Sequence, residues 1–237
     1  LVFGFAVLAF LPGPARESWP WLIVATLVHY AYYALLTQTY RLGDLSQTYP
    51  LSRGLAPLLV AALAWLAGES LSPAGIAGVA LTAAGIAVLA RAAGAASACA
   101  TLFALGTGTA IAGYTTASGI GVRLAGGVLG YSAALEVLTG IGVITYAAWD
   151  RGPRLWTQLA ALGVKAPLAG AFSVGGYLAA LWAMTVLPIA VVTALRETSV
   201  VFGALFGVWL LREPLGTRRV IAAAMVAAGA AVMTLAR

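Results

Sequence analysis

Charged side chains are scarce in this sequence. Only 8% of its 237 residues are Asp, Glu, Lys or Arg, whereas 62% belong to the apolar set. In soluble domains about a quarter of the residues are charged, and a chain of this length has no interior large enough to bury so many apolar side chains. The composition excludes a soluble globular protein and predicts an all-α polytopic membrane protein embedded in a lipid bilayer.

Cysteine and histidine are also nearly absent, since Cys99 and His29 are the single members of their kinds. One cysteine excludes an internal disulfide. The sequence has no His, Cys and carboxylate cluster at metal-ligand spacing, no Gly-Lys phosphate loop, and no nucleophile at a useful spacing from His29. We therefore expect no enzymatic activity, no cofactor and no metal site.

The net charge of +6 arises from 13 basic and 7 acidic residues, spread in ones and twos between apolar runs. Such a distribution is typical of the topology signal of a membrane protein and not of a nucleic-acid surface. The loops of one side carry eight basic residues and those of the other side three, so the positive-inside rule would place the larger set in the cytoplasm. The larger set is Arg41, Arg91, Arg151, Arg154, Lys165, Arg212, Arg218 and Arg219, and the smaller is Arg16, Arg123 and Arg237.

Apolar runs of about 20 residues between polar breaks predict helices that cross the hydrocarbon core. Strands are not predicted, because no segment alternates with a period of two. The predicted helices are Leu1–Leu11, Pro20–Tyr40, Ser46–Leu66, Pro73–Ala90, Ser97–Ser118, Gly127–Trp149, Pro167–Leu187, Ala190–Leu211 and Val220–Leu235.

The chain contains two copies of one sequence unit. A shift of 144 positions lays Tyr33–Ala90 on Tyr177–Thr234 without a gap. We assign residues 1–92 to a first copy and 97–237 to a second. The second copy is predicted to hold five helices and the first three and the tail of a fourth, so symmetry predicts one whole helix and part of the next before residue 1. Copies with an odd number of helices must lie inverted in the membrane, an arrangement that suits alternating access.

Arg53 and Glu197 occupy equivalent positions in the two copies. Charges inside a membrane are costly unless they are paired or hydrated. Equivalent positions of inverted copies approach each other across the pseudo-two-fold axis, so we predict a central ion pair with Arg196 beside it. Two interpretations stay open: the pair is a clamp or gate between the copies, or it contacts a charged substrate directly.

The predicted helix that carries Arg53 also contains Pro50 and Pro57. A proline inside a helix leaves the carbonyl four residues earlier without its hydrogen bond, and bent membrane helices are tolerated where they line a cavity. Pro50 is therefore either a packing kink or part of a cavity wall.

Polar aromatic residues recur along Pro20–Tyr40. His29, Tyr32 and Tyr33 lie deep in this helix, where a cavity-facing position is favoured over an interfacial one, and Tyr177 is the equivalent of Tyr33. We predict that these residues line a substrate cavity. For His29 alone, a helix–helix hydrogen bond and a proton relay both stay open.

Glu136 lies about ten residues into Gly127–Trp149. A carboxyl group at that depth can take up and release a proton during transport, so we predict proton coupling or cation binding there, with a neutral structural acid as the alternative. Glu69 and Glu213 follow the ends of their helices and are predicted to cap helices at the interface.

Several short sequence motifs occur in one copy or the other. They are Gly43-Asp44-Leu45-Ser46-x-x-Tyr49-Pro50-Leu51-x-Arg53-Gly54, Tyr114-Thr115 with Gly119-x-Gly121-Val122-Arg123, Ala194-Leu195-Arg196-Glu197-Thr198-Ser199 and Leu211-Arg212-Glu213-Pro214-Leu215. They resemble those of EamA-type permeases of the drug/metabolite transporter superfamily, a ten-helix fold. The resemblance implies small-molecule transport, often export, and adds Tyr114 to the candidate site. It also implies cytoplasmic termini, opposite to the loop count, so the orientation stays open.

We therefore expect a multi-pass protein of the bacterial inner membrane that exports small amphipathic metabolites, amino acids or drugs by alternating access. Its partners would be the small-molecule substrate, the bilayer and a proton, and not nucleic acid. The alternative is a membrane scaffold or assembly protein without transport, in which the buried charges all act as clamps.

Overall fold

The computed structural model describes residues 1–43, 45–92, 97–199 and 217–235. Every regular element in these ranges is a helix, as predicted. Along the chain these are α1 (Val2–Phe10), a 3₁₀ turn (Arg16–Ser18), α2 (Trp19–Leu42), α3 (Leu45–Leu66), α4 (Pro73–Ala92), α5 (Ala98–Leu124), α6 (Val128–Arg151), α7 (Arg154–Ala161), α8 (Lys165–Val186), α9 (Ile189–Arg196) and α10 (Thr217–Leu235).

Three stretches within the described ranges are long and apolar enough to cross a membrane, namely Arg16–Leu42, Val128–Arg151 and Lys165–Val186. Shorter apolar helices occupy Leu51–Leu66, Pro73–Val88 and Ile221–Met233. Large apolar side chains point outward from these helices, as Phe172 and Trp182 of α8 do, with 75% and 62% of their surface exposed. Such side chains suit contact with lipid tails.

The helices form two compact units that differ from the two sequence copies. The first unit comprises Leu1–Tyr30 and Ala117–Val186, and the second comprises Ala31–Thr116 and Leu187–Arg237. Each unit takes residues from both copies, and α2 and α5 each contribute to both units. The assignment of residues 1–92 and 97–237 to two copies therefore stays a prediction from the sequence.

In the first unit, small residues let helices approach closely. A Cβ atom on Gly4 of α1 would lie 2.7 Å from the carbonyl oxygen of Ala133 on α6. The hydroxyl of Tyr30 on α2 donates to the carbonyl of Leu138 at 2.6 Å. The first unit is thus built around α6.

In the second unit, α4 and α10 pack antiparallel along faces of small residues. A Cβ atom on Gly78 would lie 2.8 Å from the carbonyl oxygen of Gly229, and one on Gly85 would lie 2.9 Å from that of Ala222. These contacts leave no room for a side chain, so glycine is required for the two backbones to approach.

The predicted end of the fifth helix at Ser118 is wrong, because α5 continues to Leu124. The polar run around Ser118 looks like a helix end in the sequence. In the structure the Ser118 hydroxyl is fully buried and bonded to the hydroxyl of Tyr177 at 3.0 Å, so its polarity is satisfied inside the unit. The turn follows at Gly126, with φ +71°.

The prediction of one continuous helix over Ala190–Leu211 is also wrong, because the helix is interrupted about a third of the way along. α9 ends at Arg196, and Glu197 and Thr198 form a turn. The amide of Thr198 donates to the carbonyl of Leu195 at 3.1 Å, and the Thr198 hydroxyl donates to the same oxygen at 2.7 Å. Because side chain and backbone both occupy the carbonyl that the next helical turn would use, the helix is interrupted there.

A further helix was not predicted. α7 occupies a segment that the sequence analysis treats as a loop, between the turns at Gly152 and Gly163, both with positive φ. It is only eight residues long, well below the length that a membrane-spanning helix needs. Its properties are taken up below.

Candidate functional site

Arg53 and Glu197 form an ion pair in the second unit. The Arg53 Nε lies 3.3 Å from Glu197 Oε2, and the side chains are 20% and 2% exposed. The two atoms do not meet the angles of a hydrogen bond, so the contact is chiefly electrostatic. The predicted pair is present, and its part in transport stays a prediction.

The sequence around Arg53 explains how this charge is held inside a bundle. On one side, a Cβ atom at Gly108 of α5 would lie 2.6 Å from the carbonyl oxygen of Ser52. On the other, a Cβ atom at Gly54 would lie 3.1 Å from Ile86 on α4. Neighbouring helices thus contact the backbone of α3 directly before and after Arg53. These contacts hold in place the backbone position from which the Arg53 side chain extends.

Glu197 stands where α9 ends. Its amide donates to the carbonyl of Ala194 at 3.1 Å, three residues back, in place of the usual four. A carboxylate so deeply buried needs a cationic partner, because an isolated charge in a low-dielectric interior is strongly destabilising. Arg53 supplies that partner, and Arg196 also acts on Glu197 electrostatically.

Tyrosine rings adjoin this ion pair. The Tyr32 ring lies 5.1 Å from that of Tyr33 and 5.4 Å from that of Tyr114, measured between centroids. Tyr114 is buried and lies within electrostatic reach of Arg53, Arg196 and Glu197. The second unit therefore brings three predicted aromatic site residues together with three of the four predicted charged site residues, Arg53, Arg196 and Glu197.

A separate polar cluster occupies the first unit. The Tyr177 hydroxyl donates to the Ser118 hydroxyl at 3.0 Å, and the buried Tyr131 side chain of α6 lies beside Ser118. The His29 ring meets the Tyr177 ring edge-on, with centroids 6.2 Å apart. His29 Nδ1 lies 2.8 Å from the carbonyl oxygen of Ala25, within its own helix. The cluster joins α2, α5, α6 and α8.

Glu136 lies on α6 in the first unit and is half-buried. Among the described residues its carboxylate takes part in no hydrogen bond or salt bridge. A membrane acid without a fixed polar partner can exchange a proton without breaking a structural contact. Its predicted role stays a prediction.

The described residues test the predictions for several other residues only in part or not at all. Pro50 lies inside α3, which runs unbroken from Leu45 to Leu66, and its side chain falls outside the described part. Tyr33 belongs to the second unit and Tyr177 to the first, so the prediction that both line one cavity stays untested. Glu213 lies outside the described residues.

Two contacts between helices were missed by the sequence analysis. Thr39 and Thr107 pair their hydroxyls at 3.0 Å in the core of the second unit. Tyr131 is fully buried and stands against Gly121, where a Cβ atom would meet its ring. The spacing of polar residues along one helix gives no signal for such pairs, because each depends on which faces of two helices meet.

Comparisons with known proteins agree with this fold. One solved crystal structure superposes with a TM-score of 0.70, covering 99% of this chain and 83% of its own, at 22% sequence identity. At that identity the likeness concerns the fold alone. No curated protein shows significant sequence similarity to the chain. The model of the EamA-like transporter family matches residues 99–235. Because this match covers more than half of the sequence, the chain belongs to the EamA-like transporter family of membrane proteins.

Proposed function

We propose that the chain is a secondary transporter that moves small amphipathic metabolites, amino acids or drugs by alternating access between two inverted copies. The observation that carries the proposal is the Arg53–Glu197 ion pair with its adjoining tyrosines. Export, and a place in the bacterial inner membrane, follow from the resemblance to EamA-type permeases and are part of the same proposal.

Reciprocal contacts support the inverted arrangement. Gly78 contacts Gly229, which is the equivalent of Gly85, and Gly85 contacts Ala222, which is the equivalent of Gly78. Such exchange of partners is the property of an interface with two-fold symmetry. Arg53 and Glu197, as equivalent residues that touch each other, would then stand on the axis itself.

The ion pair favours a substrate with both a positive and a negative group. A zwitterion can replace each partner's charge, its carboxylate binding Arg53 and its ammonium binding Glu197. The pair would be intact in the empty protein and would exchange for substrate contacts on binding. A bulky dication would satisfy Glu197 but would leave Arg53 and Arg196 facing like charge.

The tyrosines favour an aromatic or apolar part on the same substrate. A ring face attracts cations and stacks against aromatic groups, at roughly 0.5–1.5 kcal/mol per contact. Tyr32 and Tyr33 lie on α2 and Tyr114 on α5, so the aromatic wall is supplied by helices other than those that supply the ion pair. We propose an amphipathic substrate because the aromatic side chains and the charged side chains come from different helices.

Glu136 is the proposed proton-coupling residue. It is distinct from the ion pair, because it lies in the first unit on α6. Coupling through a separate acid would let proton uptake change the energy of one conformation without competition from substrate for the same group. The proposal that a proton drives transport rests on this acid.

The test is flux in proteoliposomes, screened over amino acids and cationic dyes in both directions. We expect saturable movement of at least one zwitterionic or aromatic compound, abolished by Arg53→Met and retained by the conservative Tyr30→Phe variant outside the site. A scaffold without transport would give no flux for any compound while the protein remains folded in the vesicles. That result would overturn the proposal in favour of the scaffold.

A further inference from the structure

The short helix α7 lies between the two membrane-spanning helices α6 and α8. It is bounded by Gly152 and Gly163, whose φ angles are +56° and +51°. Glycine adopts this left-handed region readily, so the chain can reverse sharply before and after the helix. Because both flanking helices cross the membrane, a short helix set off by two sharp turns lies at the membrane surface.

The residues of α7 divide into an apolar and a polar side. Leu155, Trp156 and Leu159 fall on one face by their spacing, with Leu162 directly after the helix. Leu155 is buried against the protein, whereas Trp156 is 59% exposed and Leu159 and Leu162 are exposed as well. The protein therefore covers only part of the apolar face.

Cations surround this partly covered face. Arg151 ends α6, Arg154 begins α7 and Lys165 begins α8, and all three are exposed. One acid, Asp150, lies among them. The Arg151 guanidinium donates to the Gln158 side chain at 2.9 Å, which holds this cation beside α7. The balance of charge in this segment is positive.

Exposed aromatic residues lie at the end of α6, close in sequence to α7. The rings of Tyr146 and Trp149 at the end of α6 lie 6.1 Å apart and are 64% and 81% exposed. Tyrosine and tryptophan concentrate where hydrocarbon meets headgroups. Together with Trp156 they place α7 at that boundary.

We propose that α7 lies in the headgroup layer as an interfacial helix and, with Arg151, Arg154 and Lys165, forms a binding surface for anionic phospholipid. The exposed part of its apolar face would enter the acyl boundary, and the three cations would bind lipid phosphate. The combination of an amphipathic helix, basic flanks and aromatic neighbours is the pattern of membrane-surface helices. Lipid is favoured over a second protein as the occupant, because exposed apolar side chains follow along α8 as well, at Leu168 and Phe172.

The experiment uses the full chain with Cys99→Ser, reconstituted in vesicles of phosphatidylcholine with or without phosphatidylglycerol. A fluorophore is attached at Trp156→Cys, and its quenching by brominated phosphatidylglycerol is compared with quenching by brominated phosphatidylcholine. Two further positions serve as matched controls for the label. Thr157→Cys lies on the opposite face of α7, and Phe172→Cys lies further along α8.

We expect strong quenching at position 156, weak quenching at 157, and a preference for phosphatidylglycerol at 156 of at least about fivefold, the effect of one basic charge near a membrane. Position 172 should show no preference. The triple variant Arg151→Gln/Arg154→Gln/Lys165→Gln should abolish the preference, and Arg154→Gln/Lys165→Gln, which keeps the Arg151–Gln158 bond, should reduce it. Removal of the exposed cations Arg16 and Arg41 should leave it unchanged.

Two results would overturn the proposal. Equal quenching by both lipids at position 156 would mean that α7 touches the bilayer without selecting anionic headgroups. Absence of quenching by either lipid would mean that another protein surface or the aqueous phase covers the helix. Neither result bears on transport, so the proposed function is tested independently.

Discussion

The carboxylate of Glu69 accepts the backbone amide of Ile189, with its two oxygens 2.9 and 3.2 Å from that nitrogen. Glu69 follows the end of α3, and Ile189 begins α9. The predicted capping role of Glu69 is confirmed, although the helix it caps belongs to the other sequence copy. Two polar contacts of the described residues therefore link the segments of α3 and α9: this cap where α9 begins, and the Arg53–Glu197 ion pair where α9 ends.

Replacement of Glu69 by Ala should destabilise the protein by about 1 kcal/mol, the usual cost of removing a side chain that caps a helix N-terminus. Glu69→Gln keeps one acceptor oxygen and should cost less. Thermal unfolding in detergent gives the stability, and hydrogen exchange at the start of α9 gives its location. Glu17→Gln, at an exposed acid, is the control. Unchanged exchange at Ile189 in Glu69→Ala would contradict the capping role.

Removal of either partner of the Arg53–Glu197 pair should cost about 3–5 kcal/mol, because the remaining charge is left buried without compensation. The double variant Arg53→Met/Glu197→Gln should regain a large part of that loss. Unfolding of the two single variants and the double variant completes a double-mutant cycle. Strictly additive losses would show that the two side chains do not interact.

Gly85→Ala should destabilise by about 1–3 kcal/mol, because the new methyl group would stand 2.9 Å from the backbone oxygen of Ala222 and from Met225 Cβ. Gly176→Ala in α8 is the matched control, since nothing lies within 4 Å of its Cβ position. There alanine should be neutral or stabilising by up to about 1 kcal/mol through its better helix propensity. Equal effects of the two changes would argue against close packing of α4 on α10.

If Glu136 carries the coupled proton, Glu136→Gln should abolish the dependence of flux on a pH gradient while substrate exchange at equal pH continues. The amide keeps the shape of the carboxyl group but cannot release a proton at neutral pH. Flux in proteoliposomes with and without an imposed gradient measures both properties, with Glu17→Gln as control. A gradient response identical to that of the unaltered protein would make Glu136 a structural acid.

Tyr33 and Tyr177 are predicted to line the substrate cavity. Cysteine at either position, in the Cys99→Ser background, should react with a water-soluble thiol reagent, and less so with substrate present. Tyr33→Ala or Tyr177→Ala should raise the apparent KM several-fold with folded protein retained. Labelling only by membrane-dissolved reagents would mean that these positions face lipid.

Much of the helical framework and the central ion pair can be predicted from this sequence, because both depend on long-range regularities. Apolar runs set the helices, and one shift of 144 positions pairs Arg53 with Glu197. If the two copies are inverted, equivalent residues close to the axis between them meet, so the contact can be predicted without knowledge of side-chain packing.

The interruption of α9 and the continuation of α5 could not be predicted in the same way. The polar residues 196–199 do not by themselves predict a break in Ala190–Leu211, because charges inside membrane helices can be paired. The break coincides with the Thr198 hydroxyl donating to the Leu195 carbonyl. Conversely, the polar residues around Ser118 predict a helix end, but in the structure the Ser118 hydroxyl accepts a hydrogen bond from Tyr177 on another helix. Both outcomes depend on single hydrogen bonds that a one-dimensional pattern does not contain.

The close crossing of α4 and α10 has a consequence for how this sequence can change over generations. Gly78 and Gly85 on one helix meet Gly229 and Ala222 on the other across gaps too small for a side chain. A larger residue at Gly78 or Gly85 cannot be accommodated by a smaller partner, because the opposing atoms are backbone oxygens. Sequence change at this crossing is therefore restricted, and it is freer on the other faces of the two helices.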